Sequence, residues 1–260
     1  MKKKALIALF AIIIIGILIL LYIPNYKIDK TFTYEIDKEK GEAIITGYLA
    51  DDAARDRYND GEDERLTFPE KIVVPKKIKG YPVKAIGDRA FEWSKAKEII
   101  LPDTVEKIGH SAFFHCEELE AISGIDNVEV VEDFGFAGCG KLEELELPKL
   151  HSVGESVFSG DENLKEAVFP EGIQVLPYAM CMRMKQLTTV YIPESVETME
   201  SRVFAFCDSL EMIHIPPNVT NIHPGTFEGI EDQITIVGVK ESYAHEYALK
   251  KDIKFIEAEQ

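Results

Sequence analysis

The sequence predicts a solenoid. It reads as an α/β repeat of about seven turns, mainly parallel β with short turns and helical bends, preceded by an N-terminal transmembrane helix. Three observations predict it. A sequence block returns every 22 or 23 residues, each block holds two strand-like pieces, and an unbroken apolar run follows three lysines at the start. A fixed period in this range is the signature of stacked repeats, in which each unit buries its apolar edge against the next.

The period is read directly from the residues. Val83-Lys84-Ala85-Ile86-Gly87-Asp88-Arg89-Ala90-Phe91 and Val105-Glu106-Lys107-Ile108-Gly109-His110-Ser111-Ala112-Phe113 are one pattern written twice. The closing aromatic recurs at Phe91, Phe113, Phe136, Phe158, Phe204 and Phe227, with Cys181 as a substitute in the fifth block. The leading apolar residue keeps the same beat at Val83, Val105, Val128, Leu150, Ile173, Val196 and Val219.

The elements follow in order. Residues 1–4 carry Lys2, Lys3 and Lys4 and form a cytoplasmic stub; residues 5–23 are apolar without interruption. As a helix that run spans about 28 Å, close to the roughly 30 Å hydrocarbon core of a bilayer. It is longer than the apolar stretch of a cleaved signal peptide, and its exit, Leu21-Tyr22-Ile23-Pro24-Asn25, lacks a small-x-small site. An uncleaved anchor is therefore expected, with the lysines inside and the remaining chain outside; secretion after cleavage is the alternative.

Residues 24–82 hold the N-terminal cap and first rung. Phe32-Thr33-Tyr34-Glu35-Ile36 alternates, residues 37–41 turn, and Ala43-Ile44-Ile45-Thr46-Gly47-Tyr48 returns, which predicts a hairpin. It would cover the open end of the solenoid. Residues 51–64 are polar and charged. Asp56, Asp60 and Gly61 echo a calcium loop, but Tyr58 and Thr67 occupy ligand positions, so the segment reads as a solvated loop.

Residues 83–238 are the repeats. The second piece of each reads as Leu142-Glu143-Glu144-Leu145-Glu146-Leu147-Pro148, Leu187-Thr188-Thr189-Val190-Tyr191-Ile192-Pro193 or Leu210-Glu211-Met212-Ile213-His214-Ile215-Pro216. The three apolar positions face inward, and the proline ends the strand because it cannot donate to a ladder. Residues 239–260 form the C-terminal cap. Ser242 is a helix N-cap, lysines close the helix, and Ile253-Lys254-Phe255-Ile256 is a last strand.

Cys116, Cys139 and Cys207 share one column, three residues after the aromatic, with Ser94, Asp161, Met184 and Ile230. Such a mixed column reads as inward positions filled by buried free thiols. A Cys116–Cys139 disulfide remains open, since neighbouring rungs stand about 5 Å apart.

These residues resemble the BspA-like leucine-rich repeats, whose pattern is roughly V-x-x-I-G-x-x-A-F-x-x-C-x-x-L after an apolar strand closed by Pro. Residues 105–119 match it at almost every position, and the resemblance extends over about residues 72–256. It implies a bacterial cell-surface protein that binds other macromolecules, including host matrix proteins and neighbouring cells, with no catalytic residues to carry over. The fifth repeat departs from the pattern. Pro177, Cys181 and Met184 replace Gly, Phe and Cys there, which predicts an irregular turn.

Composition and motifs narrow the function. The 260 residues carry a net charge of −17, which excludes nucleic acid as a partner because phosphate contacts need clustered Lys and Arg. There is no H-E-x-x-H, and Gly154-Glu155-Ser156-Val157-Phe158 fails G-x-S-x-G at its last position. No two histidines share a repeat column, so stacking gathers no metal site. Neither an enzyme nor a cofactor is expected.

A binding face is the stronger candidate. The outward positions of the leucine-rich strands form two columns. One runs Glu98, Ala121, Glu144, Glu166, Thr189, Met212; the other runs Ile100, Ser123, Glu146, Val168, Tyr191, His214. The candidate site comprises Glu144, Glu146, Glu166, Val168, Thr189, Tyr191, Met212 and His214. An amphipathic aromatic beside apolar groups is typical of an interface anchor; the plainer reading is that these side chains simply cover the sheet. The expected function is a membrane-anchored extracellular module recognising a protein or glycan. The alternative is an envelope scaffold binding a partner membrane protein in cis.

Overall fold

The structure, a computed structural model, describes residues 32–48, 69–167, 169 and 172–258. The expected membrane helix at 5–23, the charged loop at 51–64 and Val168 lie outside the described residues. Among the described residues no helix is long and apolar enough to cross a membrane.

The chain winds into a solenoid of about eight turns with repeats of about 23 residues, one more turn than the seven sequence blocks. Strands β1 (Phe32–Asp37) and β2 (Glu42–Tyr48) pair as an antiparallel hairpin. Strand β2 lies parallel to β5 (Tyr81–Ile86), which β4 (Lys77–Ile78) also flanks, so the hairpin forms the first turn of one face. That face continues with β7 (Lys107–Ile108), β9 (Val130–Val131) and β10 (Ser152–Val153). It resumes as β11 (Val175–Leu176), β13 (Thr198–Met199) and β15 (Asn221–Ile222). Its strands are short because each Val-x-x-Ile piece offers only two residues between turns.

A second face carries the leucine-rich strands. Strands β3 (Lys71–Val73), β6 (Glu98–Ile100) and β8 (Ala121–Ser123) form one parallel sheet. Strands β12 (Thr189–Tyr191), β14 (Met212–Ile215), β16 (Thr235–Gly238) and β17 (Lys254–Glu257) form another.

The turns between these faces make a third ladder. The N–H groups of Arg89, Phe91 and Trp93 donate to the carbonyls of His110, Ala112 and Phe114 on the next rung at 2.9, 2.8 and 2.8 Å. The same three bonds recur rung after rung, up to Arg202, Phe204 and Phe206. The backbone reason is a repeated left-handed pair. Residues two before and two after the core aromatic have positive φ, as at Arg89 and Trp93 (56° and 64°) and Ser111 and His115 (54° and 53°). Left-handed residues at that spacing stop a helix from propagating. The expected helical bends are therefore turns, and the described residues hold one helix, α1 (Tyr243–Lys251).

The core is a column of rings. Phe91 stacks on Phe113 at 5.4 Å and 1°, Phe113 on Phe136 at 5.1 Å and 5°, and Phe136 on Phe158 at 6.4 Å and 19°. Beyond Cys181 the column resumes with Phe204 on Phe227 at 6.0 Å. Each fully buried ring contributes about 1.5–3 kcal/mol from burial alone. The Tyr247 ring of α1 meets Phe227 edge-on at 6.0 Å and closes the C-terminal end. Helix α1 begins where the sequence predicts, with Ser242 Oγ accepting the His245 N–H, and ends at left-handed Asp252.

All four cysteines are free and buried, so Cys116 and Cys139 do not pair. The thiols of Cys116, Cys139 and Cys207 donate to the carbonyls of Phe91, Phe113 and Cys181 at 3.1, 3.3 and 3.1 Å. Those bonds give each thiol a carbonyl partner on the previous turn.

The fifth repeat corrects one expectation. Its turn is regular: Ala179, Cys181 and Arg183 donate to Ser201, Val203 and Ala205 at 3.0, 3.0 and 2.9 Å. The irregularity lies one face away. Among the described residues, the leucine-rich sheet stops after β8 and resumes at β12, and the Val-x-x-Ile sheet stops after β10 and resumes at β11. Two features of the sequence act against pairing at the second of the two rungs in the leucine-rich gap. In-register stacking would set Glu144 beside Glu166, and like charges on neighbouring strands repel. The inward position held by Ile99, Ile122, Leu145, Val190, Ile213 and Ile236 is Ala167 in this rung, which has too little side chain to tie the strand to the core. Across the gap, the turn ladder is the continuous connection.

Candidate functional site

The eight predicted residues divide at the interruption. Thr189 and Tyr191 stand on β12 and Met212 and His214 on β14, in the parallel register Thr189 to Met212 and Tyr191 to His214. Alternation sends Val190 and Ile213 into the core and these four side chains outward. The structure brings Tyr191 and His214 together: their rings stack at 4.2 Å and 14°. Tyr191 is 68% exposed, the most exposed aromatic among the described residues. His214 is half-buried, and that burial holds its imidazole below its ordinary titration range.

Glu144, Glu146 and Glu166 are exposed but stand on segments whose described residues form no strand. Among the described residues, none of the three has an ion-pair partner, although Glu143 beside them holds Lys165 at 2.6 Å. That pair keeps the Glu143 carboxyl below its usual value, through the Lys165 hydrogen bond first and its charge second. An open groove of about 600 Å³ runs between β8 and this segment, lined by Glu120, Ser123, Lys141, Glu144 and Glu146. The site is therefore an acidic half and an aromatic half, separated by the break in the sheet.

Lysines elsewhere are engaged along the edges of the solenoid. Lys71 holds Glu98 at 2.8 Å, Lys107 holds Glu132 at 2.6 Å and Lys185 holds Glu162 at 2.6 Å, each joining one rung to the next. Such exposed pairs contribute little singly. Their effect on the site is to leave its carboxylates uncompensated.

Sequence reasoning missed two features. The column of Tyr191 and His214 continues in register with Val237 on β16, which is buried, and Ile256 on β17, which is exposed. A further step of 23 residues from His214 would have found Val237; Ile256 follows after only 19, because helix α1 and its turns replace a repeat there. The second is a ridge along the turns. Trp93 is exposed and stacks on His115 at 4.3 Å and 2°, and Phe114 meets Trp93 edge-on at 6.0 Å. Position alone signals it, since Trp93 and His115 both lie two residues after the core aromatic.

Chemically, the described residues offer no group of three or more His, Cys, Asp or Glu able to hold a metal ion. The arrangement presents an extended surface with one stacked aromatic pair.

Comparison with known proteins places this repeat. The model of the BspA type leucine rich repeat region matches residues 84–208 and 178–255, in 6 copies. The chain belongs to the BspA-type leucine-rich repeat family. Among solved structures it is similar to a leucine-rich repeat protein from Bacteroides ovatus, at 18% identity and a TM-score of 0.56, covering 87% of this chain and 66% of that one. It is also similar to the Treponema pallidum leucine rich repeat protein, at 21% identity and a TM-score of 0.49, covering 87% of this chain and 96% of that one. A leucine rich cell surface protein from Faecalibacterium prausnitzii matches at 15% identity and a TM-score of 0.37, over 84% of this chain and 95% of that one. No curated protein matches the sequence. At 18% identity the Bacteroides ovatus structure speaks to the fold alone.

Proposed function

We propose that this BspA-type protein is a membrane-anchored recognition module of the bacterial cell surface. Its solenoid binds an extracellular protein or glycan through the outward face of the leucine-rich strands, with Tyr191 and His214 as the anchor. The observation that carries the reading is the stacked pair: Tyr191 is held flat against His214 and still exposes most of its surface. A side chain already fixed by its neighbour loses little freedom on binding, and that favours affinity. The apolar run at 5–23 after three lysines supports the anchor.

The test is binding of residues 31–260 to an array of matrix proteins, mucins and glycans, with Tyr191→Ala and His214→Ala beside the parent. A bound ligand lost in both variants supports the face. A ligand retained in both moves the site elsewhere on the solenoid. A blank array counts against an extracellular ligand, and cross-linking in intact cells then looks for a partner in the same membrane.

A further inference from the structure

One core position breaks the chemistry of its column. Three residues after the ring column, the turns carry Ser94, Cys116, Cys139, Met184, Cys207 and Ile230, and in one rung Asp161. Asp161 is fully buried. Its Oδ1 accepts the Cys139 N–H at 2.7 Å, and its Oδ2 is buried with no hydrogen-bond partner. The titratable groups facing it are thiols: Cys139 from the preceding turn, with Cys116 beyond it, and Cys181 from the following one. Among the described residues no lysine, arginine or histidine compensates it. A charge placed there meets only the backbone N–H groups of Cys139 and Gly138 and has no counter-ion, which is the arrangement that makes an ionised group expensive to bury.

The position in the fold matters as much as the burial. Asp161 belongs to the rung between β10 and β11, where the first sheet is interrupted, and beside the segment where the second is interrupted. Here the turn ladder carries the connection, through Ser156, Phe158 and Gly160 donating to Tyr178, Met180 and Met182 at 2.9, 2.9 and 2.8 Å. Asp161 directly follows the last of these donors.

We propose that Asp161 is a proton-operated latch for the middle of the solenoid. Protonated, it is a small polar core residue like Ser94, and the rung stays packed. Deprotonated, it is an unpaired charge at the weakest junction, and the turn ladder loosens. The acidic and aromatic halves of the outward face meet at this junction, so loosening it changes their relative placement. Burial raises the carboxyl far above its ordinary value, outweighing the Cys139 and Gly138 N–H groups that lower it. The sign follows. With the folded value raised, the folded chain holds its proton longer than the unfolded one, so stability falls as pH rises above the ordinary carboxylate range and through the folded value.

The test is urea unfolding of the full chain in mild detergent between pH 4 and pH 9, with amide exchange of Ser156, Phe158 and Gly160 corrected for its intrinsic pH dependence. Asp161→Asn keeps the acceptor and removes the charge. Asp161→Cys repeats the residue of neighbouring rungs and serves if the Asn chain misfolds. Both should raise the midpoint at the alkaline end, by roughly 1 M urea, leave it nearly unchanged at the acid end, and abolish the pH-dependent loss of protection at the three amides. A substituted chain that keeps the parent's pH slope overturns the proposal. So does parent protection at those amides that is constant across the range.

Discussion

Phe169 meets Phe204 edge-on, with ring centroids 6.2 Å apart and planes at 90°. The two come from different faces of the solenoid. Phe204 belongs to the turn column of the sixth repeat, and Phe169 closes the leucine-rich piece of the fourth. Between them in sequence lies Cys181, the one member of the aromatic column without a ring. The larger side chain at Phe169, where other rungs carry Leu147, Ile192 and Ile215, reaches the Phe204 ring, and we infer that it makes up the volume that Cys181 gives up. A core tolerates such exchanges when total volume is kept.

That compensation predicts an asymmetry. Phe169→Ala should destabilise by about 3–5 kcal/mol, as for other buried rings. Cys181→Phe, which restores the repeat pattern, should also destabilise, by about 1–3 kcal/mol, because the space is already taken. Urea midpoints of the two variants check this. A stabilising Cys181→Phe would show that Phe169 does not fill the column.

Gly138 occupies the left-handed position after the core aromatic, with φ at 81° and the His115 ring lying 3.0 Å from where a Cβ would stand. Gly138→Ala should therefore cost about 1–2 kcal/mol from the backbone alone. His115→Ala in the same chain relieves the contact and leaves the backbone strain, so thermal unfolding of the single and double variants separates the two contributions.

Burial raises the Cys139 and Cys181 thiols well above their usual value and pushes Cys207 up to about 12. With Cys116 buried as well, native protein at neutral pH should react with a thiol reagent slowly or not at all. Unfolding in denaturant without reductant should release all four thiols. Recovery of two would indicate a disulfide and contradict the thiol–carbonyl geometry.

Tyr191 is exposed, so Tyr191→Ala should leave stability within about 0.5 kcal/mol of the parent while weakening ligand binding at least tenfold. A matching loss of stability would make the pair a structural stack instead of an anchor.

His214 should show itself in acid. Its folded titration lies below the ordinary imidazole value because of burial, so the unfolded chain takes up a proton first as pH falls. Stability is then lost as pH drops from the ordinary imidazole value through the folded one. His214→Gln should reduce that slope in midpoints measured between pH 7.5 and pH 4.5, and an unchanged slope would assign the acid sensitivity to other groups.

Much of the fold was legible in the sequence because its signals repeat. The spacing of Phe91, Phe113 and Phe136 located the stacked rings, and the period-two alternation of Thr189-Val190-Tyr191 told outward from inward positions. The cysteine column read correctly as buried thiols for the same reason. The fifth turn did not, because Pro177 and Cys181 look disruptive one residue at a time. The inter-rung N–H bonds of Ala179, Cys181 and Arg183 tolerate both, since a turn ladder is made by backbone and neither substitution removes one of its donors. Of the candidate site, the column membership of Tyr191 and His214 was readable, and their ring contact was not.

The sequence by itself determined the period, the identity of the inward columns, the capping of both ends and the excess of negative charge. Each of these is read along the chain, from residue type and spacing, and needs no knowledge of which side chains of successive turns stand together. The tertiary structure alone decided where the sheets part, which carboxylates stay uncompensated, that Asp161 is sealed in the core with Oδ2 unpaired, and that Phe169 meets Phe204. Those outcomes depend on which side chains of successive turns stand side by side. That proximity is set by the winding of the chain, and no single repeat contains it.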